Sequence, residues 1–430
     1  MSVTHRSISV AVESIFGSID GATGLPSVGG LSFTSIPAER DPVVLFGEAP
    51  VSERNELRSG PHLQQPELDT MWNSSNRQQR RTGEVTITLD LTTVGTGADS
   101  YDDTGLGRLL RAGFKSITSG FTAGDTVTMS TSSVVVPTTY PYELGSMVGA
   151  SIAGRAEYAS VTSDDRGGLG TTHGLSPALS TTTTTLYPMQ TFYTATGSDS
   201  GSVDTSLCFR IDGVNFRSFM VGCKCSSMSL SLDGGRVMGT FTFQAAHIFD
   251  EHGSAGGPDE PVHQSGAPCH FRGSYAVISS SAPTSGTTVG GTTGDELGRT
   301  NVANCSSFEL SVTNELTPKG SSSDILGMSD MEVTGVTVEC TLTLDAPLST
   351  VANDFRDRVK RSVLVGFGPI GEGLGGCFYI PAAHLTADPL RYEIGGEIVQ
   401  QTLSYSQSHY GGDAGTGNAK NSPFRIALTI

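Results

Sequence analysis

Apolar and polar residues alternate in short runs along the whole chain. The runs lie at Ile8, Val10 and Val12; at Val85, Ile87, Leu89 and Leu91; at Met228, Leu230 and Leu232; at Phe241 and Phe243; at Phe308, Leu310 and Val312; and at Leu342 and Leu344. Successive side chains on a strand point to opposite faces, so this period of two predicts strands with one face buried. Helical spacing occurs in two short places. One is Leu106, Leu109, Leu110 and Phe114, with Arg108 and Arg111 on the other face; the other is Val351, Phe355, Val359 and Val363 behind a Ser349-Thr350 start signal. The chain is expected to be mainly β with two short helices.

Four elements recur in one order. ISVAV (8–12) has a counterpart in FELSV (308–312), and TGEVTITLDL (82–91) in TGVTVECTLTLD (334–345). A helix over 105–114 matches one over 350–363, and DGGRVMGTFTFQAAH (233–247) matches IGGEIVQQTLSYSQSH (394–409), each with a Gly-Gly turn joining two strands. Such recurrence predicts two copies of one β-sheet-plus-helix unit. The first unit spans 1–250 and carries a long arm at 14–80 and an insertion at 116–206. A Gly/Ser/Thr-rich linker covers 251–300, and the second unit spans 301–430. Long insertions on one copy of a scaffold are where specific contacts are made.

Charge narrows the function. The chain has 26 Lys+Arg against 43 Asp+Glu and a formal charge of −17, which excludes wrapping nucleic acid by phosphate neutralisation. The start of the chain lacks the charged-then-apolar pattern of a signal peptide, and no apolar run approaches the roughly 18 residues that cross a bilayer. A soluble protein made in the cytosol, with no membrane partner, is expected. Seven cysteines without a CxxC pair argue for reduced, mostly buried thiols.

Catalytic signatures are absent: there is no G-x-S-x-G elbow, no H-E-x-x-H, no G-x-x-x-x-G-K and no G-x-G-x-x-G between a strand and a helix. Cys223 and Cys225, with Cys208 or Cys269-His270, could offer soft ligands to zinc, but a C-x-C on an alternating strand packs both thiols as small apolar groups. Asp102-Asp103 and Asp164-Asp165 read as solvated loop charge, and His247 and His409 as a repeated structural position. No catalytic, cofactor-binding or metal-binding residue is assigned, and a non-enzymatic role is expected. The arm holds Leu63 and Trp72, the lone tryptophan, together with the basic cluster Arg77, Arg80 and Arg81. Aromatic and arginine anchors are favoured in protein–protein contacts, so these are the candidate contact residues.

The assembled pattern resembles the tail tube proteins of long-tailed bacteriophages of the siphophage type. The residues that carry the resemblance are 216–245, 305–345 and 378–409. They include a Gly-x-x-x-x-Ser-Leu-Ser-Leu-like strand before a Gly turn, and a strand, Asn, variable loop, x-Gly, strand arrangement at Asn314, Gly327 and Gly335. The resemblance implies two tandem tube-like β-barrel or β-sandwich units, each with a flanking helix, whose inner sheet joins neighbours into rings. Family rings hold six such units, so a chain with two would form a trimer with pseudo-sixfold symmetry. Stacked rings would make a negatively lined tube in the virion tail, assembled in the host cytoplasm, with Leu63, Trp72, Arg77, Arg80 and Arg81 joining one ring to the next. Implied partners are other copies of the chain, the tape measure protein and genomic DNA in the lumen, and the tail terminator and distal tail proteins. Competing readings are a head-decoration, neck or baseplate protein, and a β-rich adhesin or carbohydrate-active protein.

Overall fold

A computed structural model describes residues 7–13, 16–17, 31–35, 51–58, 77–92, 100–102, 104–118, 126–129, 133–135, 144–152, 155–164, 172–176, 179, 183–187, 189–194, 205–213, 216–233, 235–252, 269, 274–278, 302–320, 328–344, 351, 353–368, 375–389, 392–395, 398–411, 419 and 421–430. The protein is mainly β, with large antiparallel sheets and two short helices, Gly105–Arg111 and Asp354–Asp357, among the described residues. None of these helices is long and apolar enough to cross a membrane.

One layer, the front sheet, runs antiparallel in the order Val51–Arg58, Arg77–Asp90, Arg236–Ala245, Phe216–Asp233, Val302–Gly320, Met328–Leu344, Ile398–Gln407 and Tyr392–Gly395. Its alternating positions bury Ile87, Leu89, Phe241, Met228, Leu230, Leu310, Val312, Val338, Leu342 and Leu403 in one core. A second layer closes that core in the order Lys115–Thr118, Met189–Tyr193, Arg425–Thr429, Gly376–Leu385, Arg361–Phe367 and Tyr275–Ile278. It contributes Phe192, Phe378, Ile380, Val363, Val365, Ile426 and Leu428, and the first helix adds Leu106, Leu109 and Leu110. That helix begins at Thr104, whose hydroxyl accepts the Gly107 N–H at 3.0 Å and donates to the Tyr101 carbonyl at 2.8 Å.

Pairings repeat along the chain. Ser7–Val12 pairs with Leu207–Gly213, which pairs with Phe216–Asp233, which pairs with His247–His252. Tyr275–Ile278 pairs with Arg361–Phe367, which pairs with Gly376–Leu385, which pairs with Arg425–Thr429. In the front sheet, Arg77–Asp90 lies beside Arg236–Ala245 as Met328–Leu344 lies beside Ile398–Gln407. At one end, two hairpins run on past the other strands, 54–58 with 77–82 and 314–320 with 328–336. The expected match of 8–12 with 308–312 is not found, because 8–12 pairs with 207–212 and 34–35 whereas 308–312 pairs with 228–231 and 338–342. By pairing, 8–12 is matched by the strand Tyr275–Ile278.

Three further expectations need correction or completion. The stretch 251–300 is more than a linker: Tyr275–Ile278 is a fully buried strand, and Cys269 exchanges backbone hydrogen bonds with Leu91 and Val237. The second helix is a single turn, Asp354–Asp357, and Val363 lies in the strand Arg361–Phe367, buried at every position. The spacing of Val351, Phe355, Val359 and Val363 is therefore not one helical face. Within 116–206, Thr126–Met129, Ser133–Val135, Met147–Ile152, Arg155–Asp164, Thr172–Ser176 and Thr183–Tyr187 close into a small barrel. Its own core is Val134, Leu144, Val148, Ala150, Ala159, Val161, Leu175 and Leu179.

The barrel covers the outer side of the second layer. Met147, Ala156 and Tyr158 pack on Tyr275, Leu364, Tyr379 and Ala427. The Tyr158 hydroxyl donates to the Phe367 carbonyl at 2.9 Å, and the Tyr275 hydroxyl accepts the Tyr158 N–H at 3.0 Å, with the two rings stacked at 6.5 Å. Arg425, wholly buried, reaches from the second layer to the Ser160 hydroxyl.

Candidate functional site

The side of the front sheet turned away from the core is built by the residues between the buried ones. Their registers line up across strands. One row reads Thr86, Thr242, Ser227, Thr313 and Thr337; the next reads Thr88, Thr240, Ser229, Ser311, Glu339 and Ser406. A third reads Asp90, Met238, Ser231, Glu309, Thr341 and Ser404, and a shorter one Ser307, Thr343 and Thr402. All these side chains are exposed or half-exposed. Every position except Met238 bears a hydroxyl or a carboxylate, and none is Lys or Arg.

Threonine and serine suit such a face because they fit the pleat and can bond across it. Thr88 and Thr240 hydroxyls meet at 3.1 Å, Thr86 and Thr242 at 3.3 Å, and Thr341 and Ser404 at 3.4 Å. Cations at the ends of the face are held by carboxylates: Arg236 by Asp90 at 3.3 Å, Lys224 by Asp330 at 2.7 Å and Lys319 by Glu332 at 2.9 Å. The face thus presents water-binding hydroxyls in a field of negative sign.

Of the contact candidates, Leu63 and Trp72 lie outside the described residues. Arg77, Arg80 and Arg81 stand on the strand Arg77–Asp90, opposite Arg58, Glu56 and Asn55. The basic cluster therefore belongs to a two-stranded hairpin at one end of the front sheet. Asp102, read as solvated loop charge, accepts from the Gln190 amide at 2.9 Å and lies 3.4 Å from Arg111.

The cysteines are free and buried. Burial pushes the thiols of Cys225 and Cys269 up to about 12 and raises Cys223 as well, aided by the nearby Glu13 charge. Thiols held protonated in this way are poor nucleophiles and poor metal ligands. Among the described residues no group of three His, Cys, Asp or Glu side chains is placed to hold a metal ion.

The alternation that marks the buried residues also marks this face, since Thr-x-Thr and Ser-x-Ser occupy the positions between them. Sequence reasoning located the strands but not the cross-strand rows, which depend on pairing between segments far apart in the chain. No protein-family model matches the chain, and no curated protein matches it.

Proposed function

We propose that the chain is a structural subunit that polymerises into stacked rings forming the tail tube of a long-tailed bacteriophage, with the front sheet as the wall of a DNA conduit. The observation that carries this reading is the four adjoining rows of hydroxyls and carboxylates, with the cations Lys224 and Arg236 at the ends of the face held by Asp330 and Asp90. A wall past which a polyanion must slide cannot release its counterions, because each cation that replaces a counterion adds affinity and drag. Carboxylates repel phosphates, and hydroxyls keep a hydrated, neutral surface between them.

The repeated pairings favour two copies of one unit in the chain, and three chains would then supply six units to a ring. Val51–Arg58 and Tyr392–Gly395 end the front sheet, each with one partner strand among the described residues. Joining one to the other in the next copy would continue the sheet and remove edges that otherwise invite aggregation. The test is electron microscopy and mass measurement of the purified chain. Rings of three chains, or cylinders built from them, are expected; a chain that stays monomeric under all assembly conditions would overturn the reading.

A further inference from the structure

The two hairpins at the end of the front sheet share a feature of sequence and register. Asn55-Glu56-Leu57 in the first and Asn314-Glu315-Leu316 in the second are the same tripeptide. Both carry a register irregularity at the same step, between Glu56 and Leu57 and between Glu315 and Leu316. Their places in the sheet also correspond. Asp233 faces Arg236 as Gly395 faces Ile398, which aligns Phe241 with Leu403; these face Ile87 and Leu342, and stepping along the strands aligns Arg81 with Val336. Asn55 faces Arg81, and Asn314 faces Val336.

Asn314 joins the two halves of the chain. It is buried, and its amide donates to the Gly113 carbonyl just past the first helix at 3.4 Å and to the Cys225 carbonyl at 3.1 Å. The Ala112 carbonyl accepts the Cys225 N–H at 3.3 Å. The end of the first helix is in this way sealed by a strand of the other half, and residues 105–110 are all buried.

Among the described residues, the second helix has no such cover. Phe355 is 43 % exposed and is the exposed large apolar side chain of the described protein. Asn353, Arg356, Asp357, Arg358 and Lys360 around it are exposed. Arg358, at the cap position that Ala112 takes in the first helix, is held at a φ of 50°, a left-handed conformation that costs a non-glycine residue free energy.

We infer that the Phe355–Lys360 knuckle is a docking surface for a second copy of the chain, whose Asn55 takes at residues 358–360 the place that Asn314 takes at 112–114. The contact between chains would repeat the contact within one. This inference rests on the reading of the chain as a ring-forming subunit, and names the residues that close the ring. The strand register transfers as well: Leu230 faces Leu310 within the chain, so Tyr392 should face Val51 of the next copy.

The native thiols are buried, so introduced ones can be read cleanly. Full-length Asn55→Cys and Val359→Cys chains are mixed, allowed to assemble, and treated with a short bismaleimide linker. A cross-linked pair containing one chain of each kind is expected, with several-fold less in either chain alone. Asn55→Leu, in the unmodified chain, should reduce ring yield at least tenfold while leaving the thermal midpoint of the monomer unchanged. Rings that form without the mixed cross-link, or with full yield from Asn55→Leu, would overturn the contact and leave the tube reading standing. A wild-type chain that forms no assembly would overturn both.

Discussion

Placing cations on the front face should convert it from a surface that DNA ignores into one that holds it. Thr86, Ser227 and Thr337 are the suitable sites, because their row is wholly hydroxylic and they stand on alternate strands. Strands are spaced by about 4.8 Å, so the new lysines would lie about 9.6 Å apart, near the screening length at 0.1 M salt, and would repel one another weakly. Each replacement on a half-exposed strand position should cost less than about 1 kcal/mol. Three phosphate contacts give a slope of about −2.7 in log affinity against log salt, or about a fortyfold loss of affinity between 50 and 200 mM. Anisotropy of a short labelled duplex reads this directly. The wild-type chain should show no binding, and the triple lysine chain a salt-dependent binding of that slope. Binding by the wild-type chain, or a folded triple variant that gains none, would refute the electrostatic argument. In assembled particles the same variant should eject DNA more slowly.

Gly107→Ala should strain the first helix, because a Cβ there would lie 1.9 Å from the Tyr101 carbonyl oxygen. Tyr101 is itself tied to Gln190 and to the Thr92 and Thr429 carbonyls, so a loss at or beyond about 3 kcal/mol is expected in urea denaturation; a loss below about 1 kcal/mol would show that the turn yields. Alkaline stability should follow the buried thiols. Cys225 and Cys269 rise from 9.0 to about 12 on folding, so the unfolded chain releases its protons first. Their contribution is complete below pH 9 and declines from there to about 12, by up to about 4 kcal/mol per thiol. Urea midpoints measured from pH 8 to 11 should fall, and fall less in Cys225→Ala and Cys269→Ala chains; a flat profile would contradict the burial argument.

Most front-sheet strands were legible because one face is wet, so apolar residues mark every second position; Val51–Arg58, expected as part of the arm, has no such pattern. Second-layer strands were less so. Arg361–Phe367 is buried on both sides, by the core and by the small barrel, and its run RSVLVGF carries no alternation, whereas the strand Arg425–Thr429 still alternates at Ile426 and Leu428. The barrel itself escaped detection because its strands are short and rich in Thr, Ser and Gly, so that composition resembles a loop while the pairing closes a sheet. Tyr275–Ile278 was hidden in the same way between Gly/Ser-rich segments. The Asn-Glu-Leu pair was overlooked for another reason: three residues carry little weight as a repeat until their strands and register steps are known to coincide.

On the proposed reading, the front face must meet a conflict that charge alone would lose. A wall meant to repel DNA gains from each carboxylate, yet like charges directly opposite on neighbouring strands destabilise the sheet. The registers resolve it by separation. Asp90 faces Met238, Glu309 lies between Ser231 and Thr341, and Glu339 lies between Ser311 and Ser406. No carboxylate in these rows has another directly across from it. Hydroxyls fill the intervening positions, where lysine would restore sheet stability but bind phosphate, and valine or isoleucine would favour the strand but expose an apolar surface. Serine and threonine satisfy both demands, and the face reads as Thr-x-Thr and Ser-x-Ser with an occasional acid. A random polar surface would be under no such constraint and would mix lysine into the rows.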